Sequence, residues 1–280
     1  MVYINLNDID DFPKHPFKVT VNEELEQLRD SIIEKGVLVP TLVRQKENGR
    51  YEMISGHRRK KASELAGNNT IPCIVRDLSD NDATIIMVDS NLQREHILPS
   101  ERAFAYKMKI EAVKKQGSRT DLTFSQIGKR LNVYEELAQE IGKSKSSIHR
   151  FIRLTELIKP LLDMVDDETI AFNPAVEISY LSKEEQKWLL NSINCNLATP
   201  SLSQAQEMKR LSQDNKLTKD KINKLLSEEK PNQIEKLKLE MKSLESKMPR
   251  GVPVTKYKEY IYKALDYYNK YLQRLKDKER

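Results

Sequence analysis

YEELAQEIGKSKSSIHRF, residues 134–151, decides the fold. Counted from Tyr134, the small residue Ala138 stands fifth, Gly142 ninth and Ile148 fifteenth. Each position has a mechanical reason. Two closely crossing helices need a small side chain at their contact, and Ala138 supplies it. The turn between them needs a residue at ease with positive φ, which is Gly142. The second helix needs an apolar residue facing back onto its support, which is Ile148. Leu137, Ile141 and Phe151 complete that small core. The segment at about 134–154 is therefore predicted as a helix-turn-helix. Short helices are expected at about 123–131 and 134–141, and a longer one from about Ser144 to Glu156. A second register, starting at Gln126-Ile127-Gly128-Lys129, puts Asn132 at the turn and Ala138 fifteenth, and packs worse.

The outward residues of the second helix are Lys145, Ser146, Ser147, His149, Arg150 and Arg153. Such side chains reach base edges and phosphates in a DNA groove. The backbone N–H groups near Ser144 add a place for a phosphate.

Composition agrees with a modular helical chain. Of 280 residues, 38% are hydrophobic and 32% charged. That balance suits several small modules better than one large core. The net charge is +6, from 48 Lys+Arg against 42 Asp+Glu. The excess is modest, but basic residues gather at about 104–160 and 233–280. Cys73 and Cys195 lie far apart with no His or Cys at ligand spacing, which speaks against a disulfide framework or a zinc site. The start, MVYINLNDIDDF, is acidic and has no apolar run, unlike a signal peptide. No stretch approaches the ~20 apolar residues of a membrane span. The expected protein is soluble, cytoplasmic and nucleoid-associated.

Upstream, residues 1–80 alternate strand and helix. Val2-Tyr3-Ile4 begins a strand. Asn22 caps a helix through Lys35, with Leu25, Leu28 and Ile32 on one face and Gly36 at its end. Strands follow at Leu38–Val43 and Tyr51–Ile54, joined by the turn at Asn48-Gly49. A basic helix spans His57–Leu65, and Ile71–Val75 is a further strand. From Asp80 or Asn81, as cap, the chain is helical almost throughout. One helix runs from Pro99 to Lys115 and breaks at Gln116-Gly117-Ser118. The fold class is α+β: a small mixed α/β domain, then an all-α helix-turn-helix domain and C-terminal helices. The expected domains are 1–98, 99–192, a charged helical linker at 193–252, and a self-association helix at 253–280.

Two further segments do not read as scaffold. In Ile54-Ser55-Gly56-His57-Arg58-Arg59-Lys60-Lys61-Ala62, a glycine at a strand-to-helix turn precedes paired arginines, which suits an oxyanion. Asp89-Ser90-Asn91-Leu92-Gln93-Arg94, followed by Leu98-Pro99-Ser100-Glu101, gathers amide, cation and acid at a helix end, as a phosphate and Mg²⁺ site needs.

Together, and upstream of this helix-turn-helix, these motifs resemble the ParB family of chromosome and plasmid partition proteins, from about Asp8 to Leu181. The family's Gly-x-Arg-Arg-x-x-Ala is met by Gly56, Arg58, Arg59 and Ala62. Its Asn-x-Gln-Arg with Leu-x-Pro-x-Glu is met by Asn91, Gln93, Arg94, Leu98, Pro99 and Glu101. Ser31-Ile32 to Gly36, with Pro40, looks like the segment lining the nucleotide base. Ile170-Ala171-Phe172 with Ala175 resembles the helical region beyond the helix-turn-helix.

The resemblance implies an N-terminal domain that binds CTP with Mg²⁺, a homodimer closing as a sliding clamp on an inverted-repeat site, and a ParA-type ATPase as partner. By carry-over, Gly56, Arg58 and Arg59 hold the triphosphate, Asn91 takes Mg²⁺ and Arg94 assists. Ser31, Gly36, Pro40, His57 and Gln93 complete the nucleotide site. Two departures stand out. Ser90 replaces the Glu that precedes the family's Asn, and His57 replaces the Glu that often follows its first Gly. The chain is therefore at most a slow CTPase. The basic ParA-contacting arm is short or missing ahead of Asp8. With no clustered carboxylates for two-metal chemistry, a nuclease is disfavoured. The alternative is a transcription regulator or nucleoid-occlusion factor built from the same modules.

At the far end, Tyr257, Ile261, Ala264, Leu265, Tyr268 and Leu272 fall near one stripe, widened by Tyr260, Tyr267 and Tyr271. An amphipathic helix must bury such a stripe, and self-association is the expected means.

Overall fold

The computed structural model describes residues 1–227 except Glu95 and 121–125, and a set of positions between 249 and 268; for 117–120 and 126–132 it describes backbone alone. Contacts divide the chain into Met1–Glu228 and Glu229–Arg280.

The first unit opens with β1 (Val2–Asn5), β2 (Ile9–Asp10), β3 (Thr41–Gln45), β4 (Tyr51–Ser55) and β5 (Thr70–Val75) in the order β1-β5-β3-β4-β2. β5 pairs antiparallel with β1 and parallel with β3, and β3 pairs antiparallel with β4. Side chains alternate across a strand, so each face gains its own core. Ile4, Leu6, Ile9, Val43, Met53, Ile71 and Cys73 fill one, and Phe12, Phe17 and Ile54 join the helices on the other.

Two helices flank the sheet: α1 (Glu23–Lys35) and α2 (His57–Leu65). Asn22 Oδ1 accepts from Leu25 N at 3.1 Å, and Gly36 ends α1 at φ 71°. Leu25, Ile32 and Ala62 then pack together between α1 and α2. The strand expected from Leu38 begins only at Thr41. Pro40 has no N–H to give a ladder, and Leu38 and Val39 stay exposed. The short parallel strand β2 has too little pattern to be seen in the sequence.

Beyond the sheet lie α3 (Asp80–Leu92) and α4 (Pro99–Thr120). The cap of α3 is Ser79, whose Oγ accepts from Asp82 N at 3.2 Å, rather than Asp80 or Asn81. α4 runs through the expected break at Gln116-Gly117-Ser118. A single helix-interior glycine costs only about 1 kcal/mol. Earlier in α4, Ala103, Ala105, Tyr106 and Ile110 are all buried.

α5 (Gln126–Ile141) is likewise one helix where two were expected. No Gly or Pro stands between 129 and 141, so the ladder continues. Asn132 lies inside it, which removes the second register. α6 (Lys145–Arg153) follows, then a 3-10 turn at Leu154–Glu156.

The rest of the unit is α7 (Lys159–Asp166), α8 (Phe172–Ile178), α9 (Lys183–Asn196), α10 (Leu202–Gln213) and α11 (Lys219–Ser227). One core joins them, through Leu154, Leu161, Ile170, Ala175, Leu189, Met208 and Ile222. α10 and α11 lie within the stretch expected as a charged linker, yet they add Ala205, Met208, Ile222 and Leu226 to that core. Each buries one face only, which keeps its composition polar.

In the second unit, the described positions from Tyr257 to Tyr268 are helical, and Leu265, Tyr267 and Tyr268 are exposed there. Leu272 and Tyr271 of the expected stripe lie outside the described residues. No helix among the described residues is long and apolar enough to cross a membrane.

Candidate functional site

The helix-turn-helix forms as its spacing requires. Gly142 takes φ 68°, and Lys143 N returns to Ala138 O at 2.9 Å. Ala138, Leu137 and Ile148 are buried together against Tyr106 and Ile110 of α4. Tyr106 meets Phe151 edge-on at 5.7 Å. Ser144 caps α6, with Oγ accepting from Ser147 N at 3.1 Å.

The side chains expected to face a nucleic acid have different companions. Ser146, His149 and Arg150 are exposed. Lys145 pairs with Glu135 at 3.1 Å. His149 stacks on Tyr134 of α5 at 4.2 Å, and burial with nearby Lys145 and Lys114 lowers its pKa. Arg150 donates to Asn173 Oδ1 and lies 5.3 Å over the Phe172 ring. Arg153 turns inward, donating to Ser179 O and lying 4.1 Å over Tyr180. It braces α6 against α8 more than it reaches outward.

The second cluster gathers around the start of α2. Gly56 sits at φ 111°, a conformation L side chains rarely adopt. A Cβ there would fall 2.5 Å from Thr41 Cγ2. The backbone of α2 thus starts hard against β3. Arg59 Nη1 donates to Val39 O at 2.6 Å and Pro40 O at 2.7 Å. This joins the paired-arginine motif to the loop expected to line a base. Arg58 Nη2 holds the Glu24 carboxylate at 2.9 Å, so one anionic group already rests beside the start of α2. Ser31 is exposed on α1, five residues before Gly36.

α3 ends in the other motif. Asn91 Nδ2 donates to Met87 O at 2.8 Å, which leaves Oδ1 as its oxygen ligand. Ser90 Oγ is spent on the same carbonyl at 3.0 Å. Asp89, the residue before Ser90, binds Lys109 Nζ at 2.5 Å, and Glu140 of α5 binds the same nitrogen at 2.6 Å. Gln93 caps α3, and Arg94 N returns to Asn91 O at 3.2 Å. Glu101 is buried and accepts from Lys18 N at 2.7 Å and Leu98 N at 3.1 Å, so it braces the start of α4.

The sequence did not disclose a cleft of about 320 Å³ lined by Asp11, His15, Phe17, Val19, His57, Lys60, Lys61 and Glu64. The His15 and His57 rings meet within it, 3.9 Å apart and tilted by 37°. His15 Nδ1 donates to Phe17 O at 2.7 Å, which fixes its tautomer. Burial first, then neighbouring His15, holds the His57 pKa down at about 3. Burial lowers His15 as well. Both rings are therefore neutral at pH 7. His57 thus faces this cleft, on α2 beside Arg58. The available signal was the pair itself: two of the chain's four histidines.

A mixed α/β domain with a glycine-arginine helix start, followed by a helical domain with a helix-turn-helix, defines a two-module class. The comparisons make it specific. Residues 1–92 match the family model described as ParB N-terminal domain, and 123–199 match ParB HTH domain. The chain belongs to the ParB family.

Among its relatives, chromosome-partitioning protein Spo0J of Thermus thermophilus is 33% identical over 193 residues, covering 69% of this chain and 65% of that protein. The probable chromosome 1-partitioning protein ParB of Deinococcus radiodurans is 35% identical over 178 residues, covering 64% and 55%. The match thus spans somewhat over half of each relative. A crystal structure of C-terminally truncated ParB from Caulobacter crescentus, complexed to the centromeric parS site, is 25% identical. It covers 75% of this chain and 99% of that one at a TM-score of 0.43.

Proposed function

We propose that this chain is a sequence-specific DNA-binding partition protein, which recognises an inverted-repeat, centromere-like site through α6. The observation that carries the reading is the two-sidedness of α6. Ile148 is fully buried against α4, while Ser146, His149 and Arg150 face out from the opposite side. A helix held this firmly can enter a major groove without losing its own packing.

The N-terminal domain binds CTP with Mg²⁺ in this reading, and the nucleotide regulates closure of a homodimeric clamp. Three features fit the nucleotide. Gly56 lets the start of α2 lie hard against Thr41, which fixes where its first backbone N–H groups stand. Arg58 already holds a carboxylate where a phosphate oxygen would compete. Arg59 anchors the base-lining loop at Val39 and Pro40. Asn91 Oδ1 suits Mg²⁺, an ion that prefers oxygen ligands. When bound, the nucleotide supplies a polyanion that the start of α2 and the Arg58 guanidinium neutralise. This chain's own groups do little to activate water: Ser90 and Asp89 both have other partners. Binding without appreciable hydrolysis follows, so any CTPase activity is slow. The second unit supplies self-association through its tyrosine-rich helix, and a ParA-type ATPase is the partner to seek.

A second reading keeps the same DNA and nucleotide chemistry but gives the chain a role in nucleoid occlusion or transcription. The nucleoid occlusion protein of Geobacillus thermodenitrificans matches at 32% identity over 179 residues. Arg58→Ala tests the nucleotide half. It should abolish CTP binding in calorimetry with Mg²⁺ while site-specific DNA binding is retained. Wild-type protein that binds no CTP, with or without its DNA site, sinks the clamp reading.

A further inference from the structure

We propose that Asn173, the second residue of α8, is a positioning residue for Arg150 and thereby sets how sharply α6 discriminates at one base pair. This rests on the reading of α6 as the DNA-facing helix.

A guanidinium on an exposed helix sweeps a wide volume, and most of that freedom is lost when it pairs with a base edge. Arg150 is already held on two sides. Its Nη2 donates to Asn173 Oδ1, and its Cζ lies 5.3 Å over the Phe172 ring. Phe172 in turn rests on Phe151 of α6 at 4.7 Å and packs against the helical core. Arg150 is thus referenced to the body of the domain.

The chemistry of the partner matters. Lys145 is tied to a carboxylate, that of Glu135, which cancels much of its charge. Arg153 is turned inward to Ser179 O. Arg150 instead meets a neutral amide. Its positive charge is not cancelled, and Nη1 and Nε carry no hydrogen bond among the described residues. Paired with the second hydrogen of Nη2, one or other of them makes the two-pronged contact that guanine takes. Asn173 is itself exposed, so the pair lies on the accessible side of α6. The arrangement orients the guanidinium at the cost of one Nη2 hydrogen and leaves a fork free.

The test uses the full chain and its selected DNA site, with a panel of duplexes changed one base pair at a time. Arg150→Ala should flatten discrimination at one base pair. Asn173→Ala should flatten the same base pair, weakening preference there by roughly 2- to 12-fold, the scale of one side chain's ordering on binding. The double variant should do no worse than Arg150→Ala alone, and affinity for random duplex should stay unchanged in Asn173→Ala. Two results overturn the inference while leaving α6 as the reader: Asn173→Ala with an unaltered profile, or with a different base pair flattened. If Arg150→Ala itself leaves every position unchanged, the DNA-facing reading of this arginine fails and the inference falls with it.

Discussion

Gly56→Ala probes the start of α2, where the nucleotide reading and the fold meet. Two costs follow from the structure. At φ 111° an alanine is strained, by about 1–3 kcal/mol for such a conformation. The new Cβ also falls 2.5 Å from Thr41 Cγ2 and 3.0 Å from its Cβ. Thr41 is fully buried, and its Oγ1 contacts Pro72 O at 3.2 Å and Cys73 Sγ at 3.1 Å, so it cannot swing aside. Overpacking of this kind costs about 1–3 kcal/mol. The sum is about 2–6 kcal/mol. Urea unfolding followed by circular dichroism should show this loss, and calorimetry should show no CTP binding. Thr41→Ser removes Cγ2 and so separates the two costs. Added to Gly56→Ala, it should recover part of the loss, leaving mainly the backbone strain. A Gly56→Ala variant as stable as wild type would refute the close approach of α2 to β3. A double variant no better than the single would show that Thr41 is not the obstacle.

Two further outcomes concern charged and titrating groups. Lys109 is buried and binds both Asp89 of α3 and Glu140 of α5. Lys109→Met should destabilise by about 1–3 kcal/mol, below the figure for a fully buried pair because both carboxylates retain solvent. Unfolding midpoints unchanged within error would show the triad to be idle. His57 has a folded pKa of about 3, below its ordinary unfolded value of about 6.5. Between those values the unfolded chain holds the extra proton, so stability falls as pH drops from about 6.5 towards 3. Asp11, His15 and Lys60 are the charged or titrating groups that act on it. His57→Gln should lose less stability than wild type between about pH 7 and pH 4.5, within that window. Equal losses would mean that the ring does not stay neutral in the folded protein.

The helix-turn-helix was legible because its constraints are local. Ala138, Gly142 and Ile148 each answer to one contact or one φ, so spacing alone places them. Where the constraint is a cooperative ladder, the sequence misled. Gly117 looked like a stop, and α5 looked like two helices. In both places the hydrogen-bonded run outweighs one weak residue. The two functional motifs were readable as strings, but their partners were not. Nothing in the sequence ties Arg150 to Asn173, Asp89 to Lys109, or His15 to His57. Each pair joins residues 20 or more apart, brought together only by the packing of α3 with α4, of α6 with α8, and of the loop after β2 with α2. Asp89 shows the consequence. In the sequence it is simply the residue before Ser90, whereas the fold turns it onto Lys109.

The most direct test of the account is recovery of genomic DNA fragments by the full-length chain, with and without CTP and Mg²⁺. The account predicts one inverted-repeat sequence in both conditions, with recovery spreading into flanking DNA only when CTP is present. Fragments that share no sequence in either condition would contradict it.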